Sequence, residues 1–177
     1  ICSMDKPLQR LLEKTFKPGK IDDDGKPGAG SKFSQSDYGL AGLTLNNSMS
    51  DSEKKYGKPL SVEVLNPMNI HGGINVQYKR YIFDGLRVTG NDRSIDEISI
   101  SSAKYSTPRG VRPGQTEEEL FAAYGPATGS SEFVDKKTGR TFISYSFSSG
   151  KGCLDYDFVV DKETRRIVGI HMSSMSC

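Results

Sequence analysis

The feature that most constrains this chain is a short segment that carries both the start and the stop of a helix. It begins at Gly110 and reads GVRPGQTEEELFAAYGPA. Thr116 can cap the helix with its side chain while Glu119, three residues on, reaches back to it, as in a capping box. Gly125 follows the last helical turn, where glycine adopts a conformation that strains other residues. The sequence therefore predicts a helix between Thr116 and Gly125.

A second segment with the same arrangement begins at Gly42 and reads GLTLNNSMSDSEKKYGKPL. Ser48 and Asp51 hold the capping-box positions, and Gly57 ends the helix. Downstream of both segments, apolar residues alternate on either side of polar turns, which predicts antiparallel hairpins. The sequence therefore predicts an α+β fold of two tandem repeats, each a short helix followed by about four antiparallel strands.

The predicted strands follow the alternating apolar positions. Those of the first repeat are Ser61–Leu65, Val76–Tyr81, Phe83–Thr89 and Glu97–Ser102. Those of the second repeat are Ser131–Val134, Thr141–Phe147, Leu154–Val160 and Ile167–Ser173. Because alternate residues of a strand share a face, one face of each sheet is predicted to be apolar and covered by the helix of its repeat.

An amphipathic helix is also predicted near the N-terminus, in DKPLQRLLEKTFK. Asp5 is its N-cap, and one apolar stripe is formed by Leu8, Leu11, Leu12 and Phe16. A stretch rich in Gly, Pro, Asp and Ser follows, which is typical of a polar loop. The predicted regions are residues 1–37, the N-terminal helix and loop; residues 38–105, the first repeat; and residues 106–177, the second repeat.

Composition excludes some classes of function. The 24 Lys and Arg residues nearly balance the 22 Asp and Glu residues, which argues against an obligate nucleic-acid binder. No apolar run approaches the ~20 residues that a membrane-spanning helix needs. The sequence begins at Ile1 rather than at Met, which indicates either a removed export signal or a shortened chain. Together with the Gly-rich and Ser-rich composition, this favours a location outside the cytoplasm.

The cysteines and histidines indicate no metal or cofactor. Cys2, Cys153 and Cys177 lack the spacing of a structural zinc site, and two histidines, His71 and His171, cannot form a multi-histidine centre. The register of the last hairpin brings Cys153 and Cys177 close at its open end. A disulfide between them is predicted, provided that their Cα atoms lie within ~7 Å of each other.

One polar pair is a candidate for chemistry. If the last hairpin turns near Lys162–Arg166, Asp157 lies across from His171 on the face away from the core. A carboxylate that orients an imidazole is half of a catalytic arrangement, and Ser144 or Ser173 could lie nearby. The same pair is also an ordinary cross-strand charge pair, which we expect to be the correct interpretation.

The GQTEEELFAAYG motif, a preceding glycine and the sheet that follows resemble the repeat unit of the β-lactamase-inhibitory-protein-like fold. The small outer-membrane-assembly lipoprotein domains called SmpA/OmlA look similar. The resemblance covers Gly42–Ser102 and Gly110–Ser174. It implies a secreted or cell-envelope protein that binds another protein through its exposed sheet face. The paired cysteines that the inhibitor carries within each repeat are missing, so the resemblance does not imply inhibitor activity.

Three functions remain open, and we expect the first, a non-catalytic secreted or cell-envelope protein whose partner is another protein. Aromatic residues and arginine are favoured at interface hot spots. The predicted contact surface comprises Phe83, Arg87, Phe142, Asp155, Asp157 and His171. A small hydrolase built around Asp157 and His171 would instead need a concave pocket with convergent polar groups. A structural spacer would show a convex sheet without a pocket.

Overall fold

The fold is described by a computed structural model for residues 32–65, 68–70, 74–149 and 154–174. Within these residues, a 3₁₀ turn at Gln35–Asp37 precedes two helices, α1 (Met49–Tyr56) and α2 (Glu117–Tyr124). The strands between the two helices are β1 (Ser61–Val64), β2 (Met68–Ile70), β3 (Ile74–Val76), β4 (Lys79–Phe83), β5 (Leu86–Gly90) and β6 (Ile95–Ile100). The strands after α2 are β7 (Gly129–Val134), β8 (Thr141–Phe147), β9 (Leu154–Asp161) and β10 (Ile167–Ser174).

Both helices begin with the predicted capping boxes. The Thr116 N–H donates to Glu119 Oε2 at 2.7 Å, and the Glu119 N–H donates to Thr116 Oγ1 at 3.2 Å. At α1, the Ser48 N–H donates to Asp51 Oδ2 at 2.8 Å, and the Asp51 N–H donates to Ser48 Oγ at 3.3 Å. Gly125 follows α2 with a φ of 73°, the left-handed region that favours glycine. These local predictions are confirmed.

One continuous sheet forms most of the described structure. Eight strands pair in the order β1-β4-β5-β6-β10-β9-β8-β7, and each pairs antiparallel with its neighbours. β2 and β3 form a separate two-stranded ladder. The central pair is β6 with β10, in which Ile100 lies opposite Ile170 and Ile98 lies opposite Met172. These four apolar residues belong to the core that the helices cover.

The predicted fold class, two tandem helix-and-strand repeats plus an N-terminal helix, is wrong. The structure is mostly one eight-stranded antiparallel sheet with two short helices. Alternation along a strand identifies its buried face, but it does not identify the strand that will be its neighbour. Because β6 and β10 pair, strands from both halves of the chain share one core. The predicted N-terminal helix lies outside the described residues, and the three-region division stays a prediction.

The predicted turn in the first half of the sheet also needs a correction. The sequence predicts a break between Tyr81 and Phe83, whereas β4 continues to Phe83 and β5 begins at Leu86. The turn is formed by Asp84 and Gly85. An Asp-Gly pair between apolar runs is a strong hairpin signal. The apolar alternation of the flanking residues continues across this pair, and it therefore predicted one strand where the structure has a turn.

The segment before α1 is held against the sheet by an aromatic ring and an arginine. The Phe33 ring centroid lies 5.3 Å from that of Tyr156 and 5.6 Å from that of Tyr124. Arg109 donates from Nε and Nη2 to the two carboxylate oxygens of Asp37, both at 2.7 Å. Its guanidinium carbon also lies 4.9 Å from the Tyr124 ring centroid. This cluster fixes residues 32–38 against the second half of the chain.

Candidate functional site

Five polar residues form one row across the sheet, on the face opposite the helices. Arg87 of β5 lies opposite Ser99 of β6, and Ser99 lies opposite His171 of β10. His171 lies opposite Asp157 of β9, and Asp157 lies opposite Ser146 of β8. We call Arg87, Ser99, His171, Asp157 and Ser146 the polar row. The predicted pairing of Asp157 with His171 is therefore confirmed.

Four members of the polar row are buried although the row lies on the face away from the helices, and the fifth, Ser146, is half-buried. The exposed fractions are 3% for Arg87, 2% for Ser99, 4% for His171 and 5% for Asp157. Their neighbours along each strand point to the other face and belong to the main core, for example Val88 of β5. Burial of polar groups is costly unless they are hydrogen-bonded, so the contacts within the row matter for stability.

Two side-chain hydrogen bonds link the polar row. Ser99 Oγ lies 2.6 Å from His171 Nδ1, and the Ser146 hydroxyl donates to Asp157 Oδ1 at 2.5 Å. The first bond joins β6 to β10, and the second joins β8 to β9. Each bond therefore fixes a cross-strand register as well as a side-chain orientation.

Burial shifts the ionisation of the two titratable groups in opposite directions. Burial, and to a lesser extent the nearby Arg87 cation, lower the pKa of His171 to about 3. Burial is the main cause that raises the pKa of Asp157 to about 7, with a smaller upward contribution from the Asp155 carboxylate and an opposing one from the Ser146 hydrogen bond. Near neutral pH, the row therefore contains an uncharged imidazole beside a carboxyl group that is close to its titration midpoint.

A hydroxyl, an imidazole and a carboxyl group on neighbouring strands are the components of a nucleophilic site. The hydroxyl next to the imidazole belongs to Ser99, and not to Ser144 or Ser173, which the sequence suggested. The sequence missed Ser99 because nothing in it indicates that β6 pairs with β10. A nucleophilic hydroxyl must also reach the substrate, and the Ser99 side chain is almost fully buried.

The other predicted contact residues occupy different surroundings. Phe83 lies on the helix side, where its ring centroid is 6.0 Å from that of Tyr56. Phe142 lies on the opposite face and packs with Val159 in a second, smaller cluster. Asp155 is half-buried, and burial raises its pKa. The structure brings Arg87, Asp157 and His171 into one row and does not add Phe83 to it.

Several predicted features lie outside the described residues, including the Cys153–Cys177 disulfide, His71 and Cys2. Among the residues that are described, no three His, Cys, Asp or Glu side chains lie close enough to hold a metal ion. The same part of the chain has no helix that is long and apolar enough to cross a membrane.

Three of the four exposed large apolar side chains among the described residues lie in or just before the edge strand β1. Leu60, just before it, is 72% exposed, and Val62 and Val64 are 49% and 61% exposed. Among the described strands, β1 pairs only with β4. The Leu65 N–H donates to the Tyr78 carbonyl on the β4 side at 2.9 Å. Because main-chain directions alternate along a strand, the polar main-chain groups of Val62 and Val64 point to the unpaired side.

Comparisons with known proteins yield two solved structures of similar shape. One is an extracellular protein containing an SCP domain from Bacillus anthracis, at 10% identity and a TM-score of 0.49, with 73% of this chain and 44% of that chain covered. Another is a cysteine-rich secretory protein from Staphylococcus aureus, at 13% identity and a TM-score of 0.49, with 82% of this chain and 47% of that chain covered. The chain thus spans less than half the length of either protein.

No family model matches the chain, and no curated protein matches it. The predicted resemblance to the β-lactamase-inhibitory-protein-like fold and to SmpA/OmlA domains is wrong, because the strands of both halves join in one eight-stranded sheet and do not form two tandem repeats. A capped helix before antiparallel strands satisfies general rules of helix and hairpin formation, so that motif alone does not identify a family.

Proposed function

We propose that this protein is a non-catalytic binding protein outside the cytoplasm, and that it binds an extended segment of another protein as a strand added beside β1. The observation that carries this proposal is the exposure of Leu60, Val62 and Val64 on an edge strand. An added strand gains main-chain hydrogen bonds and places alternate side chains on the apolar side of the edge. Exposed apolar side chains on a sheet edge favour pairing with another chain, which makes β1 a candidate for strand addition.

Lysines that precede β1 in the sequence favour a partner segment with acidic flanks. The last turn of α1 carries Lys54 and Lys55, and Lys58 follows shortly before β1. Lys54 lies 3.7 Å from the Asp51 carboxylate, whereas the described residues provide no ion pair for Lys55 or Lys58. Opposite charges across an interface increase specificity and association rate. The partner segment is therefore apolar at alternate positions and acidic at its ends.

The location outside the cytoplasm is supported by the composition of the chain. It also agrees with the descriptions of the two solved structures, one an extracellular protein and the other a secretory protein. The burial of Ser99, His171 and Asp157 supports a structural role for the polar row and disfavours the hydrolase alternative. The spacer alternative gives no reason for the exposed apolar side chains of β1, so we favour the binding function.

A designed peptide tests the proposal. The probe is a fluorescein-labelled heptapeptide in which valine and threonine alternate between two terminal aspartates, and binding is measured by fluorescence anisotropy. We expect saturable binding that Val64→Lys weakens by about tenfold, which corresponds to ~1.4 kcal/mol. Val134→Lys is the matched control, because Val134 is an exposed valine on the other edge strand, β7, and is 57% exposed. Binding should also weaken when lysines replace the aspartates of the peptide.

The outcome that contradicts the proposal is no binding of the acidic peptide, or equal weakening by both substitutions. Sedimentation of the protein alone separates a further possibility. A concentration-dependent dimer that Val64→Lys abolishes would identify a second copy of the chain, and not an acidic partner, as the occupant of the β1 edge.

A further inference from the structure

A concave site lies at the C-terminal end of α1, and none of its lining residues belongs to the polar row or to β1. Its volume is about 540 Å³, within the range of small-ligand sites. Two cationic side chains, Lys55 and Lys104, line it, and its remaining walls are formed by Ala41, Gly42, Tyr56, Tyr105 and Ser106. We call this site the lysine pocket.

The aromatic walls of the lysine pocket are fixed by hydrogen bonds. The Tyr56 hydroxyl donates to the Ala41 carbonyl, and the Tyr105 hydroxyl donates to the Asp84 carbonyl at 3.1 Å. The two rings meet edge to face, with centroids 5.4 Å apart. Since both hydroxyl groups have acceptors within the protein, the rings present an ordered apolar surface to a ligand.

The two lysines differ in their surroundings. Lys104 Nζ lies 2.9 Å from Asp84 Oδ2, and this contact raises the pKa of Lys104. Lys55 Nζ lies 6.0 Å from the Tyr56 ring centroid, and the described residues show no ion pair for it. Two ammonium groups and one carboxylate leave the pocket with one uncompensated positive charge.

Gly42 lets the Lys55 ammonium approach the pocket wall. Its φ is 67°, and a Cβ at this position would lie 2.6 Å from Lys55 Nζ. A side chain at position 42 would therefore both strain the backbone and push the ammonium away. The absence of a side chain at Gly42 therefore leaves the space that the Lys55 ammonium occupies beside the Ala41–Gly42 turn.

We propose that the lysine pocket binds a single carboxylate group that is attached to an apolar or aromatic moiety, with Lys55 as the main cation and Lys104 as the second. The uncompensated charge matches one carboxylate, and the Tyr56 and Tyr105 rings match the apolar moiety. A phosphate, with up to two negative charges and no apolar surface, matches the pocket less well. This proposal does not rest on strand addition at β1.

The test is a titration of the ¹⁵N-labelled chain, followed by NMR, with N-acetylphenylalanine as the probe. We expect saturable shifts of the Gly42 and Ser106 amide signals at millimolar concentrations. N-acetylphenylalanine amide, which lacks the carboxylate, should give no saturable shift, and inorganic phosphate should bind more weakly than the probe. Lys55→Gln should raise the dissociation constant by about fivefold, the effect of losing one charged contact at a partly exposed site.

Two further substitutions separate a specific site from general charge. Lys54→Gln removes the same charge from the same helical turn outside the pocket, so it should leave the affinity unchanged. Asp84→Asn removes the competing carboxylate, so it should increase the affinity. Equal shifts with the amide probe, tighter binding of phosphate, equal effects of Lys54→Gln and Lys55→Gln, or unchanged affinity in Asp84→Asn would each overturn the proposal.

Discussion

Ser99 Oγ lies 2.6 Å from His171 Nδ1, and this hydrogen bond joins β6 to β10 at the centre of the eight-stranded sheet. The two strands come from different halves of the chain, and 72 residues separate the two side chains. Burial keeps the imidazole uncharged, because it lowers the pKa of His171 to about 3. The bond therefore stabilises the pairing that makes one sheet from the two halves.

Replacement of Ser99 by alanine should destabilise the fold. The substitution removes the hydroxyl from a buried imidazole nitrogen, and loss of a buried partner costs about 1–3 kcal/mol. Denaturant unfolding, followed by circular dichroism, measures the change in the free energy of unfolding. The control is Ser131→Ala on the exposed strand β7, which should change the stability by less than about 0.5 kcal/mol. Similar losses in both variants would contradict the structural role of Ser99.

Asp157 should make the protein less stable as the pH rises. Burial raises the pKa of Asp157 from 3.8 to about 7, so between about pH 4 and pH 7 the folded state keeps a proton that the unfolded state has lost. Asp157→Asn removes this effect. Between about pH 4 and pH 6.5, we expect the free energy of unfolding of the variant to rise relative to that of the wild type by up to about 1.4 kcal/mol per pH unit. Urea unfolding at half-unit pH steps measures this slope, and parallel pH profiles would contradict the assignment.

His171 should act in the opposite direction. Its pKa is about 3 in the folded state against 6.5 for an ordinary histidine, so its stabilising contribution is complete above about pH 6.5 and is lost as the pH falls toward 3. His171→Asn keeps an acceptor near the Ser99 hydroxyl and removes the titration. Below about pH 6.5, the free energy of unfolding of this variant should therefore rise relative to that of the wild type as the pH falls. In the wild type, the Asp157 and His171 slopes largely cancel between about pH 4 and pH 6.5, and a variant with the wild-type profile would refute this account.

Arg109→Lys should destabilise the protein although it keeps the charge. The guanidinium donates to both carboxylate oxygens of Asp37 and to the main-chain carbonyls of Lys32 and Ala123. An ammonium cannot reproduce this planar set of donors, and we expect a loss of about 2 kcal/mol. Thermal and denaturant unfolding measure the loss. Arg112→Lys is the control, because the Arg112 side chain donates to the Ala103 carbonyl in an exposed position and should tolerate the change.

Local structure could be predicted from the sequence wherever neighbouring residues determine it. The capping boxes of α1 and α2 depend on residues three positions apart, so the side chains that form them are visible in the sequence. The hairpin of β9 and β10 was predicted with Asp157 opposite His171, because its turn and its alternation agree on one register. The Asp84–Gly85 turn is a local feature that was not predicted from the sequence. The apolar alternation of β4 and that of β5 run on through the turn, so the two strands look like one.

The contacts of the candidate site depend on pairing between distant segments. Ser99 was not predicted beside His171, and Arg87 was not predicted to be nearly fully buried, because both outcomes depend on the order of strands in the sheet. The contact between Arg109 and Asp37 was also missed, since 72 residues separate the two and a single sequence gives no signal that joins them. The exposure of Val62 and Val64 likewise depends on β1 having no second neighbour among the described strands.

By itself, the sequence determined where the two helices begin and end and which residues of most strands share a face. Both properties arise from interactions over a few residues, such as capping hydrogen bonds and the two-residue period of a strand. Only the tertiary structure decided that β6 pairs with β10, that Arg87, Ser99, His171 and Asp157 are buried in one row with the half-buried Ser146, and that β1 has β4 as its one neighbour among the described strands. The physical reason is that main-chain hydrogen bonds between strands are the same for every residue type, so the choice of partner is made by the packing of the whole core.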